Sequence, residues 1–240
     1  MKTHTRRITG LARFAASAFL AVNVAVMVAT PAHALDLSSL SNADATGGLR
    51  EALERSAAAA VGKLGAADGF LANPKVKIPL PDGLKQAEKV MKLMGKQKQF
   101  DDLVVGMNRA AENAMPQAKP LLVDAVKKMS VTDAKKIIGG GDDSVTTFFR
   151  EKTDTQLLER FLPIVRQATD KVGLAQQYNS LAGQAASFGA VKAEDAKIEN
   201  YVARKAMDGL FVMIADEEKA IRKDPVGTGS SLLKKVFGGG

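Results

Sequence analysis

Along most of this chain apolar residues return every three or four positions, and nowhere do β-branched and polar residues alternate long enough to specify a strand. That rhythm confines the chain to helices. A capping pattern at Ser41 and Asp44, followed by Leu49, Leu53, Ala57, Ala60 and Leu64, predicts a first helix that Gly65 stops. The rhythm resumes at Leu84 and breaks at Gly95. Pro116 and Pro120 are expected to interrupt the run from Phe100 to Met129, and Ser130 to cap a short helix ending at Gly139-Gly140-Gly141. Asp142 or Asp143 can cap the next helix, which carries Phe148 and Phe149. Thr153 and Gln156 read as a capping box for another helix, with Leu157, Leu158, Phe161, Leu162 and Val165 on its apolar side and Pro163 bending or splitting it. Gly173, Gly183 and Gly189 punctuate the next stretch of chain. The longest clean pattern is Ile198, Tyr201, Val202, Ala206, Leu210, Phe211 and Ile214, running towards Arg222 before Asp224-Pro225.

One segment departs from this. Asn73-Pro74-Lys75-Val76-Lys77-Ile78-Pro79-Leu80-Pro81 holds three prolines, which forbid a regular helix and favour an extended path. Its apolar residues, with Phe70 and Leu71 before them, place it against the protein, not in a free linker. No repeat of fixed period and no shift of composition divides the chain. The expected architecture is all-α: a single-domain helical bundle over residues 35–240 with one extended proline-rich segment at about 73–81.

The N-terminus reads as an export signal occupying residues 1–34. Lys2, Arg6, Arg7 and Arg13 form a positive region ahead of an apolar stretch from Phe14 to Ala29, and Ala32-His33-Ala34 supplies the small residues of a cleavage site. About 16 apolar residues fall short of the roughly 20 that a membrane span needs. Arg6-Arg7 has a twin-arginine look, but Thr9 and Gly10 stand where such signals prefer bulky apolar residues. Cleavage after Ala34 would leave a periplasmic protein beginning Leu35-Asp36-Leu37, with no transmembrane span.

Removing that segment decides much of the chemistry. Both histidines, His4 and His33, lie within it, and the whole chain has no Cys and no Trp. The remainder therefore lacks the groups for Ser-His-Asp or Cys-His nucleophilic sites, Cys/His zinc sites, thiol redox chemistry and disulfides. Four of the 34 basic residues precede Leu35 and all 26 acidic ones follow it, so the overall charge of +8 falls to +4. That charge does not call for nucleic acid. No cofactor and no metal are expected.

The sharpest positive feature is a lysine stripe. At 100° per residue Lys85, Lys89, Lys92 and Lys96 fall within about 60° of one another, opposite Leu84, Ala87, Met91 and Met94, although Gly95 precedes Lys96. Such a face can meet phosphate headgroups or another anionic polymer, or be an ordinary solvated surface. At the C-terminus, Gly227-Thr228-Gly229-Ser230-Ser231 leads into Leu232, Leu233, Lys234, Lys235, Val236 and Phe237. A helix start of that kind can bind an anion, and the plainer reading is a turn before a docked helix. Gly139-Gly140-Gly141-Asp142-Asp143 lacks the ligand spacing of a calcium hand. Asp216-Glu217-Glu218 reads as a solvated helix face in which Arg222 can pair at i+4 or i+5. Carboxylate catalysis survives the missing histidines, with Glu112 and Glu159 as candidate acids beside apolar neighbours. Sugar sites, however, commonly stack on aromatics, and the mature chain offers only Tyr178 and Tyr201 beyond its phenylalanines.

Several blocks together resemble a bacterial family, domain of unknown function 4197. They are Leu40-Ser41-Asn42-Ala43-Asp44, the Asn73–Pro81 segment, Ala118-Lys119-Pro120-Leu121-Leu122-Val123-Asp124-Ala125-Val126, Asp170-Lys171-Val172-Gly173-Leu174 and Lys219-Ala220-Ile221-Arg222-Lys223-Asp224-Pro225-Val226-Gly227. The resemblance implies an exported protein, mostly of Gram-negative bacteria, and carries over no catalytic residues. The expected role is a non-catalytic binding or structural module of the cell envelope, whose partner is an envelope protein or an anionic polymer or lipid. The alternative is a carboxylate-dependent hydrolase of cell-wall glycan or a similar envelope polymer.

Overall fold

The computed structural model describes residues 42–93, 95, 97–171, 173, 175–180 and 196–224, all within the unit His33–Gly240. Helix α1 spans Asn42–Gly65, α2 Asp82–Leu93, α3 Gln97–Ala114, α4 Ala118–Lys127, α5 Val131–Ile138, α6 Ser144–Thr169 and α7 Ile198–Lys223. A 3-10 turn, Met115–Gln117, links α3 to α4, and residues 175–180 are also helical. No strand occurs among the described residues. The fold is an all-α bundle, as expected; the proline-rich segment runs extended only over 77–81, because the Val76 and Lys77 N–H groups donate to the Asn73 carbonyl and close a turn over its first half.

The centre is the pair α6 and α7, flanked by α3, α1 and α4. Phe149, Leu157, Phe161 and Val165 of α6 are buried with Val202, Ala206, Leu210, Phe211 and Ile214 of α7 in one continuous core, into which α1 inserts Leu49, Leu53, Ala57, Ala60 and Leu64. Most of the stops fall where expected. Gly95 takes φ +73°, a left-handed conformation that ends α2 at little steric cost. Ser130 and Asp133 form a reciprocal capping box at α5, which holds the Asp133 carboxyl below its ordinary pKa.

Several expectations need correction. Pro120 does not interrupt a helix: it lies in the first turn of α4, where no intrahelical N–H partner is required. Thr153 caps nothing. It is buried inside a single 26-residue α6, and its hydroxyl donates to the carbonyl of Phe149 at 2.7 Å, one turn back. Pro163 does not split that helix. It sits on the exposed side, so the Glu159 carbonyl that loses its N–H partner is on the solvent side. At Asp143 the position is right and the mechanism is not. Asp143 is the N-cap of α6, but its side chain makes no cap hydrogen bond.

The proline-rich segment lies on α3 and α7. Val76, Ile78 and Leu80 are buried and Lys77 and Pro79 exposed, the alternation of an extended chain. No strand among the described residues pairs with it. Asn108 of α3, fully buried, takes that place: its Oδ1 accepts from the Ile78 N–H at 2.8 Å and its Nδ2 donates to the Ile78 carbonyl at 2.9 Å. On the other edge the Tyr201 hydroxyl donates to the Pro79 carbonyl at 3.1 Å. Gly209 lets the two layers touch, since a Cβ there would stand 2.6 Å from the Phe70 ring. Lys75 and Lys63 then pair with Asp216 and Glu217 of α7.

Candidate functional site: the α2 arm and its groove

Helix α2 is attached differently from the rest. It packs chiefly on α3 and contributes Leu84 to the core. Its other side faces water, and Lys85, Lys89 and Lys92 are all exposed on it. Lys85 pairs with Asp82 at 2.8 Å, one turn back, and this contact holds the Asp82 carboxyl below its ordinary pKa. No described ion pair engages Lys89 or Lys92. Leu93, the last residue of α2, is 90% exposed, more than any other large apolar residue described.

Between α2, α3 and the proline-rich segment runs an open groove of about 760 Å³. Leu71, Pro74, Pro79 and Leu80 form one wall, Val104 and Val105 of α3 another, and the charged rim holds Lys77 and Lys85 against Glu88 and Asp101. The groove is thus apolar at its base and balanced in charge at its edge.

The carboxylates singled out from the sequence have other work. Glu112 is only 4% exposed, but its Oε1 accepts from the N–H groups of Phe70 and Leu71, each at 3.1 Å, and its Oε2 takes Arg109 Nη1 at 2.6 Å. Arg109 also pairs with Asp68, a residue at φ +66°. Glu112 therefore fastens the turn that enters the proline-rich segment. Glu159 is exposed on α6. Tyr178 is buried, and Tyr201 makes the bond to Pro79 already described.

Glu218 overturns the reading of Asp216-Glu217-Glu218 as a solvated face. It is 4% exposed, and its Oε1 accepts from Arg222 Nη2 at 2.9 Å, from Arg222 Nε at 3.0 Å and from the Val145 N–H at 3.3 Å. Arg222 reaches on to Ser144 Oγ and the Ile137 carbonyl. A glutamate from α7 thus caps α6 across the fold, in the place where Asp143 makes no bond. Burial raises its pKa, and Arg222 only partly opposes the shift. Glu218 Oε2 has no hydrogen-bond partner among the described residues. The cavity beside it, about 10 Å³, is the size of one water and admits no sugar ring.

Asn108, Asn179 and Glu199 hold the fold together through contacts that residue spacing does not reveal. Asn179 accepts from the N–H of Ile198, the first residue of α7, at 2.7 Å and donates to buried Glu199, serving a helix start where the N-cap Lys197 makes no side-chain bond. A polar residue on an apolar helical stripe was the one signal that could have found them: Asn108 follows Val104 by one turn and precedes Ala111 by three residues. No group of three Asp or Glu among the described residues could hold a metal ion. Lys234, Lys235 and the loop before them lie outside the described residues, as do Lys96 and the expected signal at 1–34.

The family model described as "Protein of unknown function (DUF4197)" matches residues 39–238. The chain belongs to the DUF4197 family. That match takes in every helix from α1 to α7, the groove and the α2 arm. No curated protein and no solved structure matches the chain. No helix among the described residues is long and apolar enough to cross a membrane.

Proposed function

We propose that this DUF4197 protein is an exported, periplasmic, non-catalytic binding module of the cell envelope, and that α2 is its binding element. The observation that carries the reading is the exposed face of α2, where Lys89 and Lys92 have no described carboxylate partner and Lys85 has the exposed Asp82. A face of that kind suits an anionic surface, because exposed cations lose little hydration in approaching phosphates and gain from the surface potential. The buried glutamates support the same reading from the other side. Glu112 is saturated by protein donors, and Glu218 opens onto space for one water, so neither suits a hydrolase acting on a polymer.

Each lysine near an anionic surface contributes about 1 kcal/mol, so three give on the order of 3 kcal/mol, a millimolar-range attraction that weakens as salt rises. Co-sedimentation of the mature protein with anionic vesicles at low and high salt tests this, comparing wild type with a Lys85→Gln, Lys89→Gln, Lys92→Gln variant. The expected result is salt-sensitive binding that the triple variant loses. Equal binding by both proteins, or none at low salt, overturns it. Mass spectrometry of the periplasmic fraction tests export, with an N-terminus at Leu35 expected and a retained Met1 contradicting it.

A further inference from the structure

Lysines alone attract weakly, and the structure places an uncovered apolar residue among them. Leu93 ends α2 just before the Gly95 turn into α3. On the helical wheel it lies about 180° from buried Leu84 and about 40° from Lys89, on the lysine side of the helix and away from the core. Its 90% exposure agrees with that position. Lys92 is its neighbour in sequence and is exposed, while Lys98, in the first turn of α3, is exposed and paired with Asp102 of its own helix. In sequence, four lysines and no carboxylate lie between Glu88 and Asp101. At the end of α2, therefore, an uncovered leucine lies beside exposed Lys89 and Lys92.

We propose that the end of α2 is a membrane-insertion tip: Leu93 enters the headgroup and upper acyl region of an anionic phospholipid bilayer, while Lys89 and Lys92 contact its phosphates. The inference rests on the reading of α2 as the binding element and commits it to a bilayer. An anionic polysaccharide would satisfy the lysines equally well but offers no apolar phase for Leu93. A bilayer satisfies both, because long lysine side chains keep their ammonium groups at the phosphates while an apolar neighbour descends between them.

The chain contains no tryptophan, so a Leu93→Trp variant carries a single indole whose emission reports this site alone. Because Leu93 contacts little of the protein, the variant keeps the wild-type fold, which its thermal melt checks. With phosphatidylglycerol-containing vesicles its emission is expected to shift to the blue and to be quenched by brominated acyl chains, reversibly on adding salt. Pure phosphatidylcholine vesicles should leave it unshifted. A Val131→Trp variant, on the exposed start of α5, should not respond to either. Leu93→Ser should weaken binding to the anionic vesicles about tenfold without altering its salt dependence. If the wild type sediments with anionic vesicles in a lysine-dependent way while the indole at 93 stays unshifted and unquenched, the insertion tip is refuted and the basic-face reading stands. If nothing sediments at low salt, both fall.

Discussion

At the junction of α6 and α7, Arg222 gives its guanidinium to Glu218, to Ser144 and to the Ile137 carbonyl, whereas on α2 Lys89 and Lys92 project into water beside an uncovered leucine. The first arrangement uses charge to close a helix end inside the protein. The second leaves charge and apolar surface available outside it. The two regions also differ in attachment: α6 and α7 bury one face each along 26 residues, while α2 leans chiefly on α3. Under the proposed function, a packed core carrying one thinly attached arm suits surface binding, because the arm can adapt without disturbing the core.

Mutations should separate the two regions sharply. Phe161→Ala, in the buried face of α6, should cost about 3–5 kcal/mol in chemical denaturation, since it empties a fully enclosed aromatic site. Asn108→Ala should cost about 2–3 kcal/mol, because it strips the Ile78 N–H and carbonyl of their partners while both stay buried. At the capping box, Asp133→Ala should cost about 1 kcal/mol at neutral pH. The Asp133 pKa is depressed in the folded state, so its contribution is present above the ordinary value of 3.8 and disappears as pH falls through the lower folded value. On α2, Leu93→Ser and the lysine-to-glutamine changes should stay within about 0.5 kcal/mol, and a large loss there would break the contrast between core and arm.

Glu218 has the opposite sign to Asp133. Its folded pKa is raised above the ordinary value of 4.5, so the folded state holds the proton more tightly than the unfolded chain. The stability it contributes is fully present below 4.5 and is lost as pH rises through the folded value. Denaturation midpoints across that window should therefore fall with pH in the wild type and fall less in Glu218→Gln. A wild-type slope that the substitution leaves unchanged would remove Glu218 as its source.

The elements that sequence made legible are those whose signals are local. Gly95 needs only its own positive φ, Ser130 and Asp133 need only each other, and the apolar repeat of α7 carries its own period from Ile198 to Arg222. Thr153 and Gln156 satisfy the same local pattern and mislead, because Phe149 upstream and Leu157 downstream continue one buried stripe through them. Glu218 and Asn108 were illegible for a different reason. Each serves a backbone group far away in sequence, Val145 and Ile78, and only the packed fold brings the partners together. At the candidate site, the lysines were readable from spacing alone. The exposure of Leu93 was not, because whether a leucine at a helix end is covered depends on how the following elements pack, which spacing does not show.

Hydrogen exchange by mass spectrometry, with and without phosphatidylglycerol-containing vesicles, tests the division between core and arm most directly. Without vesicles, amides of α2 should exchange well before those of α6 and α7. With vesicles at low salt, added protection should be confined to α2 and the start of α3, and high salt should abolish it. Protection gained elsewhere in the bundle with none on α2, or no change anywhere while the protein is vesicle-bound, would contradict the division.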